Sequence, residues 1–201
     1  MPSSLHTRDC FRLLAERWRN ELVVCTLGTV TSEWHARTQD DRAFHMHAMG
    51  IAASFALGLA LARPRTPVWL LDSDGALAMS LGSLLAEAQH QPPNLVHFVI
   101  DNGTYQIIGG YPVVNAARKD FALMAQGAGI ANTHRFSDLP AFEQQLDGIL
   151  GAGTHQFAVL NVAPDAPPKA PVPFEGAEIK YRFGRHIEKQ EGVTVFGPYG
   201  Y

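Results

Sequence analysis

Two short runs constrain this chain most: "VWLLDSDG" at 68–75 and "LVHFVIDNG" at 95–103. Each is apolar throughout, ends in acids or amides, and is separated from the other by one helix's length of chain. A strand with one wet face alternates apolar and polar residues, whereas a strand apolar along its whole length is covered on both faces. Two such strands joined by a helical crossover form a βαβ unit with parallel strands. The alternation continues through the chain. Helices are expected over 7–20, from Met49 to residue 62, and over 76–91, 119–127 and 139–150. Strands are expected at "ELVVCTLG", "PVWLLDS", "NLVHFVIDN", "NTHRF" and "QFAVLNV", and 31–44 reads as a polar, irregular connection. The expected fold is α/β, a three-layer parallel sheet with helices on both faces.

The 201 residues, 46% of them apolar, can bury one substantial core. The main domain is expected over 1–163. Prolines crowd the stretch from Pro164 to Pro173, so 164–201 reads as a Pro-rich C-terminal arm in which "EIKYRFGRHIEKQEG" forms a short amphipathic helix. The net charge of −3, with no long basic run, argues against nucleic acid or a membrane surface as partner. The apolar run 49–62 falls short of the ~20 residues of a membrane span and reads as a buried helix. The first residues lack a signal-peptide pattern. Cys10 and Cys25 form no CxxC and are expected as free thiols in a cytoplasmic protein.

In parallel sheets, ligands bind beyond the carboxyl ends of the strands. Asp72, Asp74, Asp101 and Asn102 are all expected there, on one rim. Their hard oxygens suit Mg²⁺ or Ca²⁺, whereas zinc would want His or Cys. Mg²⁺ commonly shares its shell with phosphate, so a phosphorylated ligand is the natural companion. Gly75 would let the backbone approach that ligand, and a helix starting near Ala76 would turn its amides toward the anion. Taken singly, Asp74 also reads as a helix cap and Asn102 as a turn residue. His45 and His47 form an HxH pair without a nearby third His or Cys.

These residues resemble the cofactor motif of thiamine-diphosphate-dependent enzymes, a GDG triplet followed at a similar distance by NN. Here the motif reads "SDG" and "DN", with 28 positions from Asp74 to Asn102 (102 − 74). Ser73 and Asp101 depart from the pattern, while both metal-binding positions remain. The resemblance implies thiamine diphosphate and Mg²⁺ as cofactors, with Asp74, the Asn102 side chain and the Thr104 backbone carbonyl as metal ligands, and Gly75 and Ala76 beside the diphosphate. "HAMGIAASFALGLALA" resembles the family's GxMG segment. By that likeness Met49 is the wedge that bends the cofactor, and the His47 carbonyl receives the aminopyrimidine; the His47 side chain would face the substrate. "TLGTVTSEW" resembles the first diphosphate-contacting loop, with Thr29 as the contact.

Over roughly 22–162 the likeness sharpens toward the sulfopyruvate and phosphonopyruvate decarboxylases, through "SLGSLLAEA" and "PPNLVHFVIDNGTYQIIGGYP". It implies that Tyr105 and Gln106 flank the reacting end of the cofactor and that the substrate is a small anionic 2-oxo acid. Such enzymes hold the pyrimidine in a second domain carrying an activating glutamate. Glu33, Glu87 and Glu143 fall in no recognisable segment of that kind. The expected protein is therefore the diphosphate-binding subunit of a decarboxylase, completed by a pyrimidine-binding, alpha-type partner and prone to self-association. An acetolactate-type carboligase subunit and a non-catalytic thiamine-diphosphate-binding module are the competing readings.

Overall fold

The computed structural model describes residues 5–166, 172 and 175–197. In chain order the helices are α1 (Thr7–Arg17), α2 (Thr29–Thr38), α3 (Ala52–Ala62), α4 (Asp74–Ala78), α5 (Ser83–His90), α6 (Phe121–Ala128), α7 (Leu139–Leu150) and α8 (Gly176–Glu191). The strands are β1 (Leu22–Cys25), β2 (Ala43–His45), β3 (Val68–Ser73), β4 (Leu95–Asp101), β5 (Thr104–Tyr105), β6 (Tyr111–Pro112), β7 (Thr133–Phe136) and β8 (Gln156–Asn161). Six strands form one sheet in the order β2-β1-β3-β4-β8-β7, and β5 and β6 pair as a small hairpin. Every pairing in the large sheet is parallel. This is the expected α/β architecture.

Alternate residues of the buried strands serve opposite faces. Trp69, Leu71, Phe98, Ile100, Ala158 and Leu160 meet residues of α1, α2 and α7 in one continuous apolar cluster. On the other face Leu22, Val24 and Leu70 meet α3 and α8, while Val99, Phe157 and Val159 meet α4, α5 and α6. Cys10 and Cys25 are buried free thiols. Among the described residues no helix is long and apolar enough to cross a membrane.

Three expectations need correction. The segment read as an irregular connection holds α2 and β2. Its pattern is inverted: Glu33 and His35 are buried, and Glu33 is stabilised there by Arg37 one turn on, at 2.6 Å. The helix expected over 76–91 is two helices, because the chain tightens at 79–82 into bonds from Met79 to Ala76 and from Ser83 to Ser80. Finally, α8 belongs to the packed body. It buries Ile179, Phe183 and Ile187, the last two against the α3 side of the sheet. Most of the Pro-rich stretch before it lies outside the described residues.

Candidate functional site

The strand order reverses at β1. From there the chain passes to β2 on one side and later returns as β3 on the other. The loops leaving β1 and β3 therefore diverge and open a crevice, the usual ligand position in an open parallel sheet. A cleft lies there, lined by Gly28, Thr29, Met49, Asp74, Gly75 and Asn102, and by the chain from Thr104 to Ile108.

Two glycines shape it. Gly28, at φ 105°, turns the chain from β1 into α2, and a Cβ there would stand 3.2 Å from the Ile107 Cδ1. At Gly75 a Cβ would fall 2.5 Å from Tyr105 Cε1 and 3.4 Å from Met49 Cε, so only glycine admits so close an approach. Ser73 caps α4 by accepting the Ala76 N–H at 3.4 Å, which fixes the turn that carries Asp74.

Asp74 is almost wholly buried. One carboxylate oxygen accepts the Gly75 N–H at 2.8 Å, and the other accepts the Gly103 N–H at 2.8 Å with Lys119 Nζ at 3.5 Å. Burial, and after it the neighbouring Asp101, pushes the Asp74 pKa up to about 7. A divalent cation on this carboxylate would reverse that preference. Across the cleft, Asn102 Oδ1 accepts the Thr104 N–H at 2.9 Å, and Asn102 Nδ2 donates to Gln106 Oε1 at 3.0 Å. Thr29 Oγ1 donates to the same Gln106 oxygen at 2.8 Å, joining the start of α2 to the end of β4.

The structure thus brings Thr29, Met49, Asp74, Gly75, Asn102, Thr104, Tyr105 and Gln106 to one cleft. Ala76 is buried behind it in α4, and His47 stands exposed on the loop before α3, outside the lining. The expected four-residue rim is corrected to two. Asp72 lies within β3, buried against His97, because its side chain points to the α5 face of the sheet. Asp101 does not line the cleft; it stands behind Asp74 and shares Lys119 with it. Lys119 was not anticipated. It sits between Asp101 and Asp74 with its side chain only 5% exposed, yet "ARKD" carries no signal separating it from a surface lysine. The apolar roof, Ile107 and Ile108, was missed for the same reason.

Among the described residues no group of three or more His, Cys, Asp or Glu could hold a metal. The donor set is one carboxylate, one amide oxygen and nearby backbone. Such a set suits a hard cation that completes its shell with water and phosphate oxygens. Gly28 and the first turn of α2 add backbone amides at the same cleft, where an anion is favoured. The residues fit a diphosphate with a divalent metal.

Comparison with known proteins agrees with this geometry. The chain is 37% identical over 154 residues to the phosphonopyruvate decarboxylase of Streptomyces viridochromogenes, a match covering 76% of this chain and 38% of that one. It thus spans well under half the length of that relative. It is 34% identical over 178 residues to the sulfopyruvate decarboxylase subunit beta of Methanothermobacter thermautotrophicus, covering 87% of this chain and 90% of that subunit. The fold matches the benzoylformate decarboxylase of Polynucleobacter necessarius with a TM-score of 0.70 at 17% identity, over 82% of this chain and 34% of that one. Residues 28–162 match the family described as "Thiamine pyrophosphate enzyme, C-terminal TPP binding domain". That segment contains every residue of the cleft lining except Leu27, and the chain belongs to this family of thiamine-diphosphate-binding domains.

Proposed function

We propose that the chain is the diphosphate-binding subunit of a thiamine-diphosphate-dependent decarboxylase acting on a small anionic 2-oxo acid of the sulfopyruvate or phosphonopyruvate type. The observation that carries the reading is the pairing of Asp74 and Asn102 at adjacent strand ends beside Gly75 and the start of α2. In this reading Asp74, Asn102 and the Thr104 carbonyl hold Mg²⁺, Thr29 and the amides near Gly75 and Ala76 take the diphosphate, and Met49 supports the cofactor's bend. Thiamine diphosphate, when bound, supplies the electron sink that lets a 2-oxo acid lose carbon dioxide. Tyr105 and Gln106 flank that position, and the hydrophobic roof of Ile107 and Ile108 limits water there. His47, exposed on the loop that carries Met49, takes part through its backbone carbonyl.

A partner is part of the proposal. Glu33 is bound to Arg37, Glu87 is enclosed with His97, and Glu143 is exposed on α7, so none of these acids lines the cleft. The glutamate that activates the pyrimidine then comes from an alpha-type, pyrimidine-binding subunit. Exposed apolar residues surround the cleft, among them Met79 at 57%, Ile108 at 57% and Tyr111 at 69%, and Leu85 and Leu123 extend the surface along α5 and α6. A surface of that kind supports association with the partner and with further copies of the chain. The working unit is the domain over 1–163 with 164–201 as its C-terminal arm, in the cytoplasm; of that arm, α8 packs beside β2.

The test is carbon dioxide release from a panel of 2-oxo acids, by the purified chain alone and after co-expression with its pyrimidine-binding partner. Turnover only with the partner is expected. Robust turnover by the chain alone would contradict the half-site.

A further inference from the structure

Beneath α5, between the two apolar clusters of one sheet face, four buried polar residues form a line: Asp72 on β3, His97 on β4, Glu87 on α5 and His155 just before β8. His97 is the hub. Its Nδ1 lies 3.0 and 3.1 Å from the two Glu87 oxygens, and its Nε2 lies 3.6 Å from Asp72 Oδ2. His155 Nδ1 donates to the Leu95 carbonyl at 3.1 Å, leaving its Nε2 3.3 Å from Glu87. Both His97 nitrogens thus face carboxylates, Nδ1 within hydrogen-bond distance of Glu87 and Nε2 in the longer, ionic range of Asp72, so an imidazolium fits between them.

Resting on the cofactor reading above, we infer that His97 is a positioning residue for the metal-binding turn, tying both ends of the segment that carries Asp74 to a single imidazolium. The segment runs from Asp72, one residue before the end of β3, to Glu87 within α5, which packs on this face of the sheet; between them lie Ser73, Asp74, Gly75 and the whole of α4. Asp72 acts on the turn directly. Its Oδ1 accepts the Ser73 N–H at 2.8 Å, and Ser73 in turn caps α4. If the side chain of Asp72 swings away, Ser73 loses its anchor and Asp74 its aim. The direction of titration agrees: although burial opposes its charge, Glu87 and then Asp72 raise the His97 pKa to about 9.

Bulk stability alone does not call for such a cluster. Leucines, valines and phenylalanines flank it on both sides, and apolar residues of similar volume usually hold a core as well as a buried ion pair does. What the ions add is direction. A carboxylate held by an imidazolium presents its second oxygen in a fixed place, here to Ser73. Partners behind a metal ligand set are commonly worth about 10- to 100-fold in metal affinity.

Two substitutions separate positioning from packing. An asparagine amide nitrogen overlays histidine Nδ1, facing Glu87, whereas a glutamine amide nitrogen overlays Nε2, facing Asp72. Unliganded His97→Asn and His97→Gln should both melt below the native protein. Calorimetry with thiamine diphosphate at saturating Mg²⁺ should show His97→Asn weakened about tenfold or more, with His97→Gln within about threefold of native. Equal weakening of both, or native affinity in both despite lowered melting, would overturn the inference. If His97→Asn does not fold, Asp72→Ala replaces it. That change removes the carboxylate that anchors the Ser73 N–H, so about tenfold weaker binding is expected and unchanged affinity overturns the inference. Failure of the native protein itself to bind the cofactor with Mg²⁺ would instead refute the cofactor reading.

Discussion

The two faces of the central sheet are built differently. Against α1, α2 and α7 the face is apolar without interruption, and its rings interlock: Phe11 with Trp34 at 5.8 Å, and Phe136 with Phe142 at 5.3 Å. Against α3 to α6 the face is divided, with two apolar clusters on either side of the line from Asp72 to His155. The comparison teaches that burial and placement are separate tasks in this fold. Non-directional packing holds the first face. The second bears the turn with Asp74 and uses charged, directional contacts to set it.

The largest expected effect tests the continuous face. Phe98 is fully buried there and packs edge-on against Phe142 at 6.3 Å. Phe98→Ala should cost ~3–5 kcal/mol of stability. Chemical denaturation reads that loss, and the protein that remains folded should bind cofactor as the native chain does. Weakened binding with little loss of stability would erase the distinction between the faces.

The divided face should show itself in pH dependence. Titratable groups pack around the His97–Glu87 pair from two further elements: Asp72 of β3 beside His97, and His155 ahead of β8 beside Glu87. His97 is raised from 6.5 to about 9, so its contribution to stability is complete below pH 6.5 and is lost as pH rises through about 9. Burial works against the Glu87 charge, but His97 and His155 together outweigh it and lower that pKa from 4.5 to about 2. The Glu87 contribution is complete above pH 4.5 and is lost as pH falls toward 2. In an Asp74→Asn background, which removes the titration of that raised carboxylate, thermal melting should give a plateau from pH 4.5 to 6.5 with declines on either side. His97→Gln should flatten the alkaline decline; an unaltered alkaline decline in that variant would assign it to other groups.

The smallest effect concerns the bond that spans the cleft. Thr29→Val removes the hydroxyl that reaches Gln106 and should cost ~1 kcal/mol in stability, with a modest drop in diphosphate affinity. A melting curve and a binding titration read the two. A loss confined to stability would make Thr29 a structural strut only.

The sequence reveals the first face better than the second. Strands such as β3 and β4 are apolar except at Asp72, His97 and their terminal residues, and that pattern identifies a sheet covered on both sides. In contrast, α2 hides its helical character because Glu33 and His35 are buried. At the cleft, the strand ends put Asp74 and Asn102 on one rim, and the resemblance to the cofactor motif singled them out; both follow directly on strands that are neighbours in the sheet. Spacing could not separate Asp72 from Asp74. Two residues apart near a strand's end, one remains in the strand and faces α5 while the other begins a helix. Lys119 reaches the site from a loop distant in sequence, so only the folded chain shows it.

The central claim is that Asp74 and its neighbours hold thiamine diphosphate through a divalent metal. It is tested most directly by titrating the cofactor into native and Asp74→Ala protein by calorimetry, each with Mg²⁺ and with EDTA. Saturable binding by the native protein with Mg²⁺ is expected, and both EDTA and the substitution should weaken it about 100-fold, or ~2.7 kcal/mol. Equal affinity in all four titrations would contradict the assignment.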